Sequence, residues 1–358
     1  MRTWTICRLV GIGLFLAVSA SSVRAAQPLE VYGAWHCGSD YCTWGTVRSV
    51  AEFDQKNHWL IDRGNGTPSV NLVVLSFVHP LKLLNQTTDT TTLNGVPRGM
   101  TPEIVKYFTD KGVRVMLSIG GITYVKPWND ALAQDAWQLG LNAAAVAGAL
   151  GVGIEIDYEE NRSPNLAALE QFIRAYRAEG LPYDPSGVNH AARLTIDLAA
   201  GDRWLIGITR KATTEWLRGQ PPVLDYANAM VTARPSRAAD AIANWKEHVD
   251  GKPQYAPPIP PLAPARFTGS LWLVDSKPLA ECTNFAKALQ NTTGSFVQTV
   301  APNGDGSSPG MLGYMFWAAE CQGTRSVCTT PPNTCVGGVG VGATTYSVPI
   351  PMPALKRY

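Results

Sequence analysis

Three carboxylates stand at every second position of the segment ALGVGIEIDYEEN, residues 149–161. Apolar residues alternate with them, a pattern that predicts a β-strand. Because side chains alternate between the two faces of a strand, we expect Glu155, Asp157 and Glu159 to share one face. Burying like charges side by side is costly unless protons or hydrogen bonds offset the cost. The row therefore indicates acid–base chemistry, with a solvated strand end as the alternative.

The elements that must position this row are eight short apolar runs that alternate with helical patterns. This order is typical of βα units around a parallel sheet, and eight units favour a (β/α)8 TIM barrel in a single α/β domain. A doubly wound open sheet is the alternative, although no GxGxxG turn follows a first strand. The predicted strands are LEVYGAW, VNLVVLSFV, VRVMLSIGG, VGIEIDYE, ARLTIDLAA, YANAMVTA, GSLWLVD and GYMFWAA. The predicted helices include residues 102–110, 130–150, 165–179 and 237–248.

In a barrel of this kind, catalytic groups belong at the C-terminal ends of the strands. The acidic row ends the fourth predicted strand, and the glycine pair of SIGG ends the third, where Ser118 shares a face with Gly120. Trp317 ends the eighth strand and offers a flat apolar surface. Trp35 lies near the end of the first strand, and aromatic faces can stack on sugar rings. Three or more strands thus converge on one predicted mouth.

These motifs resemble those of the family 18 glycoside hydrolases, the chitinases and endo-β-N-acetylglucosaminidases. GIEIDYE resembles their DxxDxDxE motif, and SIGG, residues 118–121, is similar to their SxGG motif on the third strand. DYANAM, residues 225–230, resembles the start of their sixth strand, and GYMFW, residues 313–317, resembles their eighth. The resemblance spans most of the chain. It implies a TIM barrel that hydrolyses β-1,4 linkages of N-acetylglucosamine in chitin or chito-oligosaccharides by retaining, substrate-assisted catalysis.

The resemblance also implies a role for each carboxylate. Glu159 matches the general acid, and Asp157 matches the group that orients and charge-stabilises the N-acetyl group of the substrate. Glu155 takes the place of an inner aspartate. We expect a neighbouring negative charge to raise the pKa of Glu159, which must carry a proton near neutral pH. The substrate-binding candidates are Trp35, Ser118, Gly120, Tyr158, Asp197, Met230 and Trp317.

The chain departs from the family pattern at the row and on the sixth strand. Val152 replaces the first motif aspartate, and Glu155 is longer than the inner aspartate by one methylene. The sixth strand, MVTA, lacks the tyrosine whose hydroxyl binds the acetamido oxygen in the family, and Asp197 or Arg234 are candidates to replace it. Two alternative functions therefore stay open. One is an endo-β-N-acetylglucosaminidase that acts on N-glycan cores, and the other is a non-catalytic chitinase-like lectin.

The ends of the chain have compositions of their own. Residues 1–25 combine basic residues, a short apolar stretch and a small-residue cleavage site, a pattern that predicts a secretory signal peptide. We therefore expect a secreted, extracellular protein with no membrane segment once the signal is removed. Residues 26–327 are predicted to form the catalytic barrel, and residues 328–358 a Gly/Pro/Thr-rich extension. A monomer is expected.

Six cysteines follow the predicted signal, which in an exported protein suggests three disulfides that pin loops. We predict the pairs Cys37–Cys42, Cys282–Cys321 and Cys328–Cys335. A zinc site is the alternative, but no CxxC pair or helical histidine pair supports it. The formal net charge of +2 and the lack of a Lys/Arg cluster argue against a nucleic-acid partner. No metal or cofactor is expected, and the expected partner is a polysaccharide or oligosaccharide that contains N-acetylglucosamine.

Overall fold

Eight parallel strands close into a barrel in the computed structural model, which describes residues 31–37, 44–62, 66, 68, 70–179, 193–199, 204–230, 238–272 and 311–317. Around the ring, the strands follow their order along the chain, and the last pairs with the first. Each predicted apolar run contains one of them, so the TIM barrel is confirmed and the open sheet is wrong. The barrel strands are β1 (Val31–His36), β2 (Leu72–Val78), β5 (Arg114–Gly120), β6 (Gly153–Asp157), β7 (Leu194–Leu198), β8 (Ala227–Ala229), β9 (Phe267–Trp272) and β10 (Gly313–Trp317). A small hairpin of β3 (Thr92–Leu93) and β4 (Val96–Pro97) stands apart from the barrel.

Helices lie between the barrel strands, and each of the four predicted helices corresponds to one of them. The helices are α1 (Val50–Ile61), α2 (Pro80–Leu84), α3 (Pro102–Thr109), α4 (Val125–Leu150), α5 (Leu166–Ala178), α6 (Ile206–Lys211) and α7 (Ala238–Val249). The largest difference from prediction is α4, which begins five residues before the predicted residue 130. It is kinked at Asp135, whose carboxylate accepts a hydrogen bond from the Gln138 backbone N–H at 2.9 Å and so caps the second segment.

The two faces of each barrel strand pack in different parts of the molecule, one against the helices and one inside the barrel. On β6, Ile154 and Ile156 face the helices and, with Val152 just before the strand, are buried in the main hydrophobic core, as the alternation predicts. The inner face of the barrel carries a second apolar cluster, made of Val31, Trp35, Leu72, Val74, Met116, Tyr226 and Met315. The acidic residues of β6 therefore project into the barrel, next to this apolar cluster.

Several predictions concern residues that the structure does not describe. Cys37 is disulfide-bonded, but its partner and the other five cysteines lie outside the described residues, so the three pairings stay predictions. Three other predictions also concern residues outside the described ones and stay predictions. They are the signal peptide, the extension over residues 328–358 and the interpretation of the sixth-strand residues Thr232, Ala233 and Arg234. Among the helices that the structure describes, none combines the length and apolar character needed to cross a membrane.

Candidate active site

The acidic row lies at the C-terminal end of β6, inside the barrel mouth. Glu155 is fully buried, and Asp157 and Glu159 expose only 5% and 9% of their surface. All three carboxyl groups have a raised pKa, since burial disfavours the charged form. A solvated strand end is therefore the wrong interpretation of the row.

Glu155 is the innermost member and is held by donors from other strands. The Trp35 indole nitrogen donates to Glu155 Oε1 at 2.7 Å, and the Asn228 side-chain amide donates to Oε2 at 2.8 Å. Thr268 in turn donates to Asn228 Oδ1 at 2.6 Å, which fixes the orientation of that amide. Burial raises the pKa of Glu155 to about 7, against these hydrogen bonds, which favour the carboxylate. The longer side chain at this position thus reaches donors on β1 and β8.

Asp157 and Glu159 form a coupled pair at the cavity wall. Burial and the charges of Glu159 and Glu155 hold the pKa of Asp157 well above its usual range, and a hydrogen bond donated to Glu159 raises it further. Burial raises the pKa of Glu159 to about 7, while the hydrogen bond from Asp157 lowers it. The expected increase is present, but its main cause is burial rather than the neighbouring charge. Asp157 Oδ1 has no hydrogen-bond partner among the described residues.

The backbone of Asp157 is fixed by the SIGG segment. Its carbonyl oxygen accepts hydrogen bonds from the Gly121 N–H at 3.0 Å and from the Trp128 indole nitrogen at 3.1 Å. Gly120 has φ +123°, and a Cβ atom there would lie 1.9 Å from the same carbonyl oxygen. Only a residue without a side chain allows β5 to approach the end of β6 so closely.

A cavity of about 500 Å³ opens above the pair. Four of the predicted substrate-binding residues line it, namely Trp35, Asp197, Met230 and Trp317, together with Asp157 and Glu159. Five further residues on its wall were missed from the sequence. They are Phe77, Ile122, Thr123, Tyr124 and Trp204. Phe77 lies at the C-terminal end of β2 and the next three directly follow SIGG, so the rule that sites form at strand ends could have found them.

Three of the aromatic residues that line the cavity, Trp35, Phe77 and Trp317, lie side by side, and we call this part of the wall the floor. The ring centroids of Trp35 and Trp317 are 6.4 Å apart, and those of Phe77 and Trp317 are 5.6 Å apart. The three rings come from β1, β2 and β10, which are neighbours across the closure of the barrel. Flat apolar surfaces beside carboxyl groups suit a ligand that has both apolar faces and polar edges, such as a sugar ring.

Three predicted substrate-binding residues lie elsewhere. The Tyr158 ring packs on Trp128 in the helical layer with centroids 5.6 Å apart, and its hydroxyl donates to Asn129 at 2.5 Å. The prediction that Tyr158 binds the substrate is therefore wrong. Strand alternation directs its side chain to the opposite face from Glu155, Asp157 and Glu159. Ser118 and Gly120 do not line the cavity either. Ser118 is the register partner of Glu155 and is fully buried, so both residues of β5 support the row from beside it.

Asp197 adds a fourth carboxyl group to the cluster. It lies on β7 opposite Asn228 in the strand register and exposes 2% of its surface. Burial and the charges of Glu155 and Asp157 hold its pKa well above the usual range. Among the described residues, no group of three or more His, Cys, Asp or Glu side chains has the arrangement of a metal site.

Comparison with known proteins relates the chain to others through its fold. No family model and no curated protein matches the sequence. A GH18 chitinase from Pseudoalteromonas aurantia superimposes with a TM-score of 0.51 at 15% identity, covering 73% of this chain and 89% of the chitinase. Chitinases from Bacteroides thetaiotaomicron and Rhizomucor miehei give TM-scores of 0.47 and 0.46 at 12% and 14% identity, covering 81% and 80% of this chain and 89% and 93% of theirs. The first of these superpositions shows that the barrel has the fold of a GH18 chitinase.

Proposed function

We propose that this chain is a glycoside hydrolase of the family 18 type, which cleaves β-1,4 linkages of N-acetylglucosamine in chitin or chito-oligosaccharides. The observation that carries the proposal is the Asp157–Glu159 pair on the wall of a cavity with an aromatic floor. Substrate-assisted glycoside hydrolysis requires one carboxyl group that protonates the leaving oxygen and a second group that holds the acetamido nucleophile of the substrate. The barrel fold of a GH18 chitinase agrees with this assignment.

Glu159 is the proposed general acid. A general acid is most effective when its pKa lies near the working pH, and the pKa of Glu159 is about 7. Its proton passes to the glycosidic oxygen while the bond from that oxygen to the anomeric carbon breaks. The acetamido carbonyl oxygen of the same sugar attacks the anomeric carbon and closes a cationic oxazolinium ring.

Asp157 is the proposed partner of the acetamido group. Its unpartnered Oδ1 can accept the acetamido N–H, which directs the carbonyl oxygen toward the anomeric carbon. Once Glu159 has given up its proton, the proton of the Asp157–Glu159 hydrogen bond is shared between two carboxylates. Asp157 then gains negative charge beside the cationic ring and stabilises it.

The second half of the reaction uses the same groups in reverse. Water attacks the anomeric carbon, its proton returns to Glu159, and the acetamido oxygen leaves that carbon. Two displacements at one carbon retain its configuration. Glu155, held by Trp35 and Asn228, acts on Asp157 through its charge, which raises the pKa of Asp157. We also propose that the protein is exported, which the composition of residues 1–25 supports.

The experiment that tests this proposal is mass spectrometry of the products from a hexamer of N-acetylglucosamine. We expect shorter oligomers from the native chain and a rate lower by about 10²- to 10⁴-fold from Glu159→Gln, the range that general acid catalysis supplies. Glu160→Gln is the matched control. Glu160 is the next residue along, yet its carboxylate accepts from Asn129 and the Arg162 backbone N–H and lies outside the cavity wall.

Each outcome separates one function from another. An intact hexamer with every variant would overturn the chitinase assignment. Release of N-glycans cut in their N,N′-diacetylchitobiose core would then identify the endo-β-N-acetylglucosaminidase. Binding of the hexamer without products, equal for the native chain and Glu159→Gln, would identify a lectin.

A further inference from the structure

We propose that Asp197 binds the substrate directly and, as a neutral carboxylic acid, donates a hydrogen bond to the acetamido carbonyl oxygen. This inference rests on the proposed function, because it assigns the second half of the acetamido contact. An amide group has one N–H donor and one carbonyl acceptor that point in opposite directions. A site that holds the group firmly therefore needs both an acceptor and a donor.

Asp197 lies where it can reach the same ligand as Asp157. Its strand, β7, lies between β6, which carries the acidic row, and β8, and Asp197 lines the same cavity as Asp157. The two carboxyl groups are close enough for the charge of one to shift the pKa of the other. Asp157 and Asp197 thus line one cavity and face the same ligand.

One oxygen of the Asp197 carboxyl group is available to a ligand. Asp197 Oδ1 is buried and makes no hydrogen bond with any residue that the structure describes. The hydrogen bonds that the Asp197 side chain makes with Asn228 and Glu155 fall to its other oxygen. A buried polar oxygen left without a partner costs free energy, so its retention on a cavity wall points to a ligand.

Burial and the neighbouring carboxyl groups favour the protonated form of Asp197. The titratable groups that face Asp197 are Glu155 and Asp157 from β6, while β8 presents Asn228 and Met230, which do not titrate. Burial and these two carboxyl groups hold the pKa of Asp197 well above its usual range. The hydrogen bonds that Trp35, Asn228 and Asp197 itself donate to Glu155 favour the charged form of Glu155 over that of Asp197. Asp197 then retains a proton, which it donates to Glu155 in the free chain. The proposal requires this proton to move to Oδ1 when an acetamido oxygen arrives, while Trp35 and Asn228 continue to donate to Glu155.

This assignment explains how the chain manages without a sixth-strand tyrosine. The hydroxyl donor expected there has no counterpart in MVTA, whereas a neutral carboxyl group on the adjacent strand offers the same O–H chemistry. The other side-chain hydroxyls on the cavity wall belong to Thr123 and Tyr124, which come from the segment after β5. Tyr124 is the stronger rival as a donor, so it enters the test.

The test measures binding in the Glu159→Gln chain by titration calorimetry, with two hexamers. One is the N-acetylglucosamine hexamer, and in the other each acetamido oxygen is replaced by sulfur, a weaker acceptor. We expect the parent chain to bind the oxygen hexamer about tenfold more tightly than the sulfur hexamer, the loss of about one hydrogen bond. Asp197→Ala should lose this preference and bind the two hexamers equally.

Two further variants keep the test decisive. Asp197→Asn retains an N–H donor, so it should keep part of the oxygen preference, and it covers the case in which Asp197→Ala fails to fold. If Tyr124→Phe, rather than Asp197→Ala, removes the preference, the inference is overturned. An unchanged preference in Asp197→Ala, with the native chain still cleaving the hexamer, would overturn the inference and leave the proposed function intact. If the parent chain binds neither hexamer, both proposals are wrong.

Discussion

A Cβ atom on Gly120 would stand 1.9 Å from the carbonyl oxygen of Asp157. The Trp128 indole nitrogen, 2.3 Å from the same point, would block any move to the other side. The contact joins the end of β5 to the end of β6 and sets the height of Asp157 in the cavity. The glycine of SIGG is thus a positioning residue, which acts on the acid row through the backbone.

Gly120→Ala should therefore disable the site. Because the methyl group clashes with backbone and the φ of +123° disfavours a side chain, we expect a loss of more than about 2 kcal/mol in the free energy of unfolding. Hydrolysis should fall at least tenfold as Asp157 is displaced. Chemical denaturation and hexamer cleavage measure the two effects. Gly148→Ala is the control: nothing lies within 4 Å of its Cβ position in α4, so stability should be unchanged or higher by up to about 1 kcal/mol.

The carboxyl cluster should make the fold less stable as the pH rises above 7. In the unfolded chain these carboxyls titrate near their ordinary values, so above pH 7 they are ionised. In the folded chain burial raises the pKa values of Glu155 and Glu159 to about 7, so these groups still hold part of their protons there. Asp157 and Asp197, whose pKa values are raised well above the usual range, shift the balance in the same direction. The folded state then binds more protons than the unfolded state, and the free energy of unfolding decreases with pH. We expect a loss of roughly 1–3 kcal/mol between pH 7 and 8.5.

Buried histidines oppose this trend only at lower pH. Burial lowers the pKa of His36 to about 4 and of His248 to about 3, so they destabilise the fold below pH 6.5, where the unfolded histidines take up protons. Urea denaturation at pH 7, 7.75 and 8.5 avoids that window. Asp197→Asn should flatten the dependence. A free energy of unfolding that rises over this range in the native chain would contradict a proton-holding cluster.

Trp317 should carry much of the sugar binding. Its ring contacts Trp35 and Phe77 on the cavity floor, so Trp317→Ala removes the centre of the aromatic surface. We expect the affinity of the Glu159→Gln chain for the N-acetylglucosamine hexamer to fall about tenfold, as the loss of one aromatic contact implies. Trp137→Ala is the matched control, since Trp137 is 45% exposed on α4 and lies outside the cavity wall. Equal losses in the two variants, measured by calorimetry, would mean that binding does not use this floor.

The barrel was predictable because its signals are local. Strand patterns need only a few consecutive residues, and each apolar run marks one strand of the ring. The start of α4 was less predictable, because the kink at Asp135 hides the continuity of the helix before and after it. In the site, strand alternation placed Glu155, Asp157 and Glu159 together, since the period of two applies within a single segment.

The remaining features of the site depend on contacts between distant segments. That Trp35 and Asn228 both donate to Glu155 follows from the barrel register and not from any local pattern. The same register turns Asp197 toward the row. Strand alternation, which placed the three carboxylates on one face, also directs Tyr158 to the opposite face. The prediction that Tyr158 binds the substrate therefore conflicted with the same alternation that predicted the acidic row.

The first and last strands of the barrel pair with each other, Val31 opposite Gly313, and each contributes one ring to the cavity floor. During synthesis on the ribosome, the N-terminal strand emerges long before its partner and has no neighbour on that side. Trp35 therefore meets Trp317 only after nearly the whole barrel has been made. A nascent chain of this protein has no complete cavity floor at any earlier stage, so binding at the proposed sugar site would show that the ring has closed.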